Sequence, residues 1–269
     1  MKKIVSWLYR QSIFFLASNN MLVYRWYLSL YRPTDDPLAV FFDRFSKSKN
    51  DFFVVQVGAN DGITHDPIHK FIKRDHWRGI LLEPQTWVFE RFTKKMYQKD
   101  EGINVINAAI GHEDGEASMY KLSFSNDRWA SGLTRFNRSL LQKLIDDGRL
   151  DKRIRRNNIK LPSNPDDWIE EVKVRVRSFS SLLLELNVGH IDLLMIDTEG
   201  FDAEVIKMLD LDEYLPTVIV FEDMHLSKED YSECVSRLHS FRYQTHRCGP
   251  NTIAWQQEAD AFVPWKTKN

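Results

Sequence analysis

The sequence predicts an α/β fold: a mostly parallel sheet with helices on both faces, closed by an antiparallel strand at the C-terminal end. Three observations carry this expectation. The stretch "VVQVGANDG", Val54 to Gly62, runs apolar residues straight into a glycine and opens a β-α-β-α-β order that lasts to Gly111. After an irregular middle the same rhythm resumes and delivers two more apolar runs, "IDLLMID" and "TVIVFED". Finally "RYQTHR" and "NTIAWQQ" read as two strands joined through Gly249-Pro250-Asn251, a turn that suits an antiparallel pair.

Each element has a local reason. "FFVVQV", Phe52 to Val57, is a β-branched run without polar alternation, as expected of a strand covered on both faces. Asp66-Pro67 reads as an N-cap followed by proline at the first helical position, with "PIHKFIKRDHW" as the helix. "GILLEP", Gly79 to Pro84, is the second strand, and "QTWVFERFTKKMYQK" the second helix. "INVINAAIG", Ile103 to Gly111, is the third strand, and "EASMYKLSF" alternates like a further one. From about 124 to 171 the rhythm lapses, which marks an insertion or cap with helical segments around 138–157. Residues 141–160 hold seven Lys and Arg against three Asp, a solvated face or an attractor for an anionic acceptor. "EVKVRVRSF" alternates strictly, as a strand with one wet face. "SLLLELN" is a short helix, and helices are expected from about Asp202 to Leu211 and over 227–240.

Composition excludes several classes. Hydrophobic residues make up 43% and charged residues 28%, enough for a packed core in a chain of 269 residues. A net charge of −1 argues against a chain-wide role on nucleic acid. Cys234 and Cys248 are too few for a disulfide scaffold or a structural zinc site, and a cytoplasmic location with reduced thiols is expected. The first twenty residues have a basic start, but their uninterrupted apolar core is only Ile13 to Ala17. A secretory signal needs about 7–15 apolar residues and a membrane span about 20. Residues 1–50 are therefore expected to form a helical, aromatic-rich extension without a transmembrane segment. It would pack on the domain at 51–269, form a homodimer, or rest on a membrane surface.

The chemistry begins at the first glycine loop. In open α/β sheets ligands bind beyond the carboxyl ends of the strands, where Gly58 sits. Its missing Cβ would let a ligand approach the backbone, and Gly62 permits a second tight turn. The dinucleotide fingerprint is G-x-G-x-x-G, but Gly58-Ala59-Asn60-Asp61-Gly62 has Asn60 in place of the middle glycine. Asp61 would repel a phosphate and suit a cationic group. Glu83, 25 residues after Gly58, ends the second strand beside Pro84, where a carboxylate can accept from both hydroxyls of a ribose. Asn107, Ala108 and Ala109 would leave room for a flat ring with a polar contact. A nucleoside without pyrophosphate, S-adenosylmethionine, fits this set.

"VVQVGANDG", "GILLEPQ", "INAAIG", "ASGLTRF" and "IDLLMIDTEGFDAEVI" together resemble the successive blocks of the FkbM-type methyltransferase family, in order from about Asp51 to Phe221. The resemblance implies a Rossmann-like class I methyltransferase fold with a seven-stranded sheet. It also implies methyl transfer from S-adenosylmethionine to a hydroxyl of a sugar, a glycan or a glycosylated natural product, as in polysaccharide biosynthesis. Carried over by position, Gly58, Asn60, Asp61 and Gly62 would hold the methionine end, Glu83 the ribose and Asn107 to Ala109 the adenine side. Ser131 falls in the small-residue block. A sheet ending in an antiparallel pair also suits methyltransferases better than dinucleotide dehydrogenases.

Asp197 and Glu199 emerge at one strand's carboxyl end, and Glu222 and Asp223 at another's. A sugar hydroxyl is a poor nucleophile, so a base should take its proton late in the transfer. Asp197, Glu222 and His225 are the candidate bases, with Asp197 also near the cofactor. Asp202 reads as a helix cap. Such carboxylates can hold Mg²⁺ with several waters, but no metal ligands are assigned, and His65 and His69 are separated by Pro67 near a helix start. The alternatives are an NAD-dependent oxidoreductase, disfavoured by the missing glycine, and a non-catalytic nucleoside-binding protein.

Overall fold

The computed structural model describes residues 2–265; Met1 of the expected extension and residues 266–269 of the expected domain lie outside the described residues. Three helices come first, α1 (Lys2–Ser18), α2 (Leu22–Leu30) and α3 (Pro37–Lys47). Then follow β1 (Phe53–Val57), α4 (His69–Asp75) and β2 (Arg78–Leu82). Next come α5 (Thr86–Val88), a π-helical turn (Phe89–Thr93) and α6 (Lys94–Tyr97), which together form one interrupted helix. After these lie β3 (Ile103–Ile106), β4 (Ala109–Ile110) and β5 (Gly115–Leu122). The irregular middle holds α7 (Arg128–Ser131), α8 (Arg138–Asp146) and α9 (Asp151–Asn157). The remainder is β6 (Ile169–Arg177), α10 (Phe179–Glu185), β7 (Leu193–Ile196), α11 (Asp202–Met208), β8 (Val218–Glu222), α12 (Lys228–Ser240), β9 (Gln244–Cys248) and β10 (Asn251–Trp255).

Seven strands form one sheet in the order β3-β2-β1-β7-β8-β10-β9. All neighbouring pairs are parallel except those of β10, which runs antiparallel to both β8 and β9. The order reverses between β1 and β7, which splays their loops apart and opens a crevice at the carboxyl ends. The apolar runs are explained by two covered faces. Val54, Leu81, Met195 and Val220 point into a core shared with α3, α4 and α6. Val55, Ile80, Leu194 and Ile219 point into a second core with α10, α11 and α12. Burying each such side chain stabilises the fold by about 1.5–3 kcal/mol.

Two sequence expectations change here. The run 103–111 is not one strand: it breaks at Asn107, so β3 stays in the main sheet while β4 leaves it. The alternating segments of β5 and β6 do not extend the main sheet either. They pair antiparallel with each other, with β4 parallel to β6, as a separate three-stranded sheet. Their alternation reflects that position, since one face of the small sheet packs on α7 and α8 through Leu122, Leu141 and Ile169. The helix expected after Asp66-Pro67 starts at His69, and Asp66 caps its first turn by accepting from the N–H groups of Ile68 and His69.

The N-terminal helices are fastened to the sheet by buried polar contacts. Lys73 on α4 donates to the carbonyls of Ala17 and Met96 and pairs with Asp100. Tyr24 on α2 bonds His69, His69 bonds Tyr97, and Tyr97 donates to the carbonyl of Gly62. Burial holds the His69 imidazole neutral, with its pKa lowered to about 3. Among the described residues, no helix is long and apolar enough to cross a membrane.

Candidate active site

The first strand ends in a left-handed turn. Gly58 has φ +89°, Asn60 φ +46° and Gly62 φ +71°. A Cβ on Gly58 would stand 1.9 Å from the carbonyl oxygen of Asp197, so this glycine is required by the neighbouring strand end rather than by an approaching ligand. A Cβ on Gly62 would meet the ring of Tyr97 at 2.8 Å. The loop is thus shaped by the protein's own packing. Thr93, inside the π-helical turn, donates from its hydroxyl to the Asn60 carbonyl and ties the loop to the second helix.

Asp61 turns away from the crevice. Its carboxylate accepts from the N–H groups of Ile63 and Thr64 and faces Arg128 at 3.1 Å. The reading of Asp61 as a partner for a cationic ligand therefore fails on placement: the side chain is buried outside the cleft lining, with Oδ1 taking both N–H groups and Oδ2 facing the Arg128 guanidinium. Ala59 is buried beneath the loop. Asn107 also serves the frame, donating to the carbonyls of Glu83 and Pro84 and accepting from Thr86.

A cleft of about 630 Å³, including its mouth, opens beside Gly58 and Asn60. Its walls include Glu83, Pro84, Gln85, Ala108, Ala109, Ser131, Thr134, Asp197 and Glu199. Among the described residues no Lys, Arg or His lines it, whereas three carboxylates do. Such a lining disfavours pyrophosphate and suits a ligand with cationic groups. Glu83 is buried, with one oxygen accepting from Asn60 N–H and the other from Gln85 N–H, both at 2.8 Å. Burial nevertheless lifts its pKa to about 7, outweighing those donors. Asn60 Oδ1 is buried without a hydrogen-bond partner at the same wall. A buried acceptor left unpaired costs about 1–3 kcal/mol, so a ligand donor there would be favourable.

Across the cleft, β7 and β8 deliver the acids. Asp197 follows β7 and is exposed to the cleft. Surrounding protein, then the charges of Glu222, Asp202 and Glu199, push its pKa well above the usual carboxylate range. Glu199 sits in a strained left-handed conformation, φ +55°, followed by Gly200 at φ +103°. Arg135, brought from the segment after α7 and almost fully buried, pairs with Glu199 Oε2 at 2.8 Å. Behind Glu199, His225 Nε2 lies 3.4 Å from that same oxygen and 3.8 Å from Glu222 Oε2. Glu222 Oε2 is buried with no hydrogen-bond partner. Burial raises the pKa of both glutamates to about 7; Arg135 opposes this at Glu199, and the Glu199 charge adds to it at Glu222. His225 is shifted down, by burial first and then by Arg135 and Arg149, so it is neutral at pH 7. Asp202 is no simple cap: it accepts from Thr198 and Gly200 on one oxygen and from Glu222 N–H on the other, pinning the loop to β8.

The sequence matches the methyltransferase FkbM domain family over residues 56–245. The chain belongs to this family. It therefore carries a methyltransferase FkbM domain, and the order of its sheet is that of the class I fold the sequence led one to expect. Solved structures similar to this FkbM domain include methyltransferase FkbM from Methylobacillus flagellatus KT, with 14% identity over 77% of this chain and TM-score 0.43. The chain spans 44% of the length of that structure. A precorrin-6y C5,15-methyltransferase from Geobacter metallireducens GS-15 gives 12% identity, 81% of this chain and 87% of the other, at TM-score 0.39. A human methyltransferase 10 domain containing protein gives 11% identity, 84% and 83% coverage, and TM-score 0.38. Among curated proteins no match is found.

In this FkbM domain the structure brings Gly58, Asn60, Glu83, Pro84, Ala108, Ala109 and Asp197 to one cleft. Glu222 and His225 stand just behind it, against Glu199. Arg135 escaped the sequence reading as a functional residue; "SGLTRF" contains it, but its meeting with Glu199 depends on a fold-back that periodicity does not reveal. Glu199, Glu222 and His225 offer ligand atoms within 4.8 Å of one another, a spacing that would admit a cation. Arg135 already supplies a positive charge there.

Proposed function

We propose that the protein transfers a methyl group from S-adenosylmethionine to a hydroxyl of a sugar, a glycan or a glycosylated natural product. The observation that carries this reading is the acid-lined cleft, free of basic side chains among the described residues, with an orphaned Asn60 Oδ1 on one wall and a coupled acid cluster at the other edge. Glu83 would accept from ribose hydroxyls through its remaining lone pairs, its orientation fixed by two backbone N–H groups. Asp197 on the cleft wall would face the cationic end, whose charge would draw its pKa down. Ala108 and Ala109 leave space for the base. Bound there, the cofactor supplies an electrophilic methyl for in-line displacement.

The chain's own residues then supply alignment and a proton acceptor. Glu199 lines the cleft, where an acceptor hydroxyl would reach it. Its Oε2 is held by Arg135, which leaves Oε1 to accept the proton. A pKa of about 7 makes it an effective base at neutral pH. Neutral His225 and Glu222 lie close enough to share the proton with it, so the three titrate as a unit. The segment 124–171, which delivers Arg135 and lays Leu140 near Gly200, would act as a cap that helps to select the acceptor.

Isothermal titration of the full chain with S-adenosylmethionine tests the donor. Saturable binding is expected, with S-adenosylhomocysteine competing; absence of binding to folded protein would sink the proposal. Binding without turnover on any sugar hydroxyl would leave a nucleoside-binding protein and overturn the acceptor part.

A further inference from the structure

The N-terminal helices are attached to the sheet by one face and leave the other bare. On α2, Tyr24 and Leu28 point inward, while Leu22, Trp26 and Leu30, spaced four apart, form an outward ridge. These three are 81%, 66% and 60% exposed. On α1, Tyr9 and Phe15 are likewise exposed, at 67% and 58%. The ridge of Leu22, Trp26 and Leu30 at this exposure is more than a scatter of single surface residues and marks an interaction face.

The charge around the ridge says what covers it. Residues 8–34 contain Arg10, Arg25 and Arg32 and no Asp or Glu, in a chain whose net charge is −1. A second copy of the chain would bring like charges together across an isologous contact, with no acid in the segment to pair them. An anionic bilayer complements them instead. Leucine and aromatic rings suit the boundary between headgroup and acyl chain, and basic side chains suit the headgroup phosphates. We propose that α1 and α2 form a peripheral docking surface for anionic lipid bilayers.

Co-sedimentation of the full chain with vesicles tests this, using phosphatidylcholine alone and phosphatidylcholine mixed with phosphatidylglycerol. Retention on the phosphatidylglycerol vesicles is expected, weaker on the neutral ones and weakened by salt. Leu22→Ser, Trp26→Ser and Leu30→Ser combined should lower the partition coefficient on the order of a hundredfold. Arg10→Gln and Arg25→Gln should each lower it about fivefold and leave the apolar ridge intact. Circular dichroism and the thermal midpoint check that all three variants remain folded. The proposal is overturned if the parent protein stays in the supernatant with phosphatidylglycerol vesicles. It is overturned equally if the triple variant still binds, or if light scattering shows a dimer that the triple substitution dissolves.

Discussion

Glu83 and Glu199 end two strands of one sheet, line one cleft, and share a pKa of about 7, yet their surroundings differ. Glu83 is held by two backbone N–H groups, which are fixed in space and never exchange a proton. Glu199 is held by a guanidinium on one oxygen and stands against an imidazole and a second, unpartnered carboxylate. Desolvation produces the same shift in both places, so the shift does not assign a role. The kind of partner does: rigid backbone donors make a recognition group, and a cluster of titratable neighbours makes a proton acceptor.

The two halves touch at Gly58, so the most disruptive way to break the comparison is Gly58→Ala. The added Cβ would collide with the Asp197 carbonyl, backbone against backbone, at φ +89° where L residues are strained. A loss of about 4 kcal/mol in unfolding free energy is expected, read from the denaturant midpoint. A loss under about 1 kcal/mol would show that the loop can move aside, and with it the rigid frame attributed to Glu83.

Separating the roles needs the isosteric amides. Glu199→Gln should keep cofactor affinity and lower kcat about a hundredfold, because the amide cannot take the hydroxyl proton. Equal losses in affinity and kcat would place Glu199 in cofactor binding instead. Glu83→Gln should do the reverse. It should weaken S-adenosylmethionine binding about tenfold in calorimetry, since one oxygen becomes a donor facing N–H groups, and leave kcat at saturation nearly unchanged. Alanine is the poorer test at this position, because it would also strand the N–H groups of Asn60 and Gln85.

The asymmetry also explains what could be read from the residues alone. The Glu83 half is local: Gly58 to Gly62, Glu83 and Asn107 to Ala109 lie at consecutive strand ends, and strand periodicity places them together. Even there the physical reason differed, since Gly58 answers to Asp197 and Asp61 to Arg128. The Glu199 half is assembled from Arg135 in the inserted segment, a left-handed Glu199 and His225 beyond β8. No periodic pattern encodes a side chain arriving from 64 residues away. The break at Asn107 was hidden for a similar reason, because its amide bonds the Glu83 and Pro84 carbonyls and the chain leaves the sheet there.

The subtlest test concerns stability against pH. Glu222 has a folded pKa of about 7, above the 4.5 of an ordinary glutamate. Between these values the folded protein retains a proton that the unfolded chain has released. Stability therefore falls as pH rises through that window, and the loss is complete above it. His69 works in the opposite sense: its folded pKa is lowered from 6.5 to about 3, so stability rises with pH between those values. A single stability curve mixes the two. The difference between the parent and Glu222→Gln removes His69, which both proteins share. The amide does not titrate and repels neither Glu199 nor Asp197, so the variant should gain on the parent by on the order of 1 kcal/mol from about pH 5 to about pH 7.5. Parallel curves over that range would mean that Glu222 is not a strained acid in the fold, and the proton-sharing cluster would lose its third member.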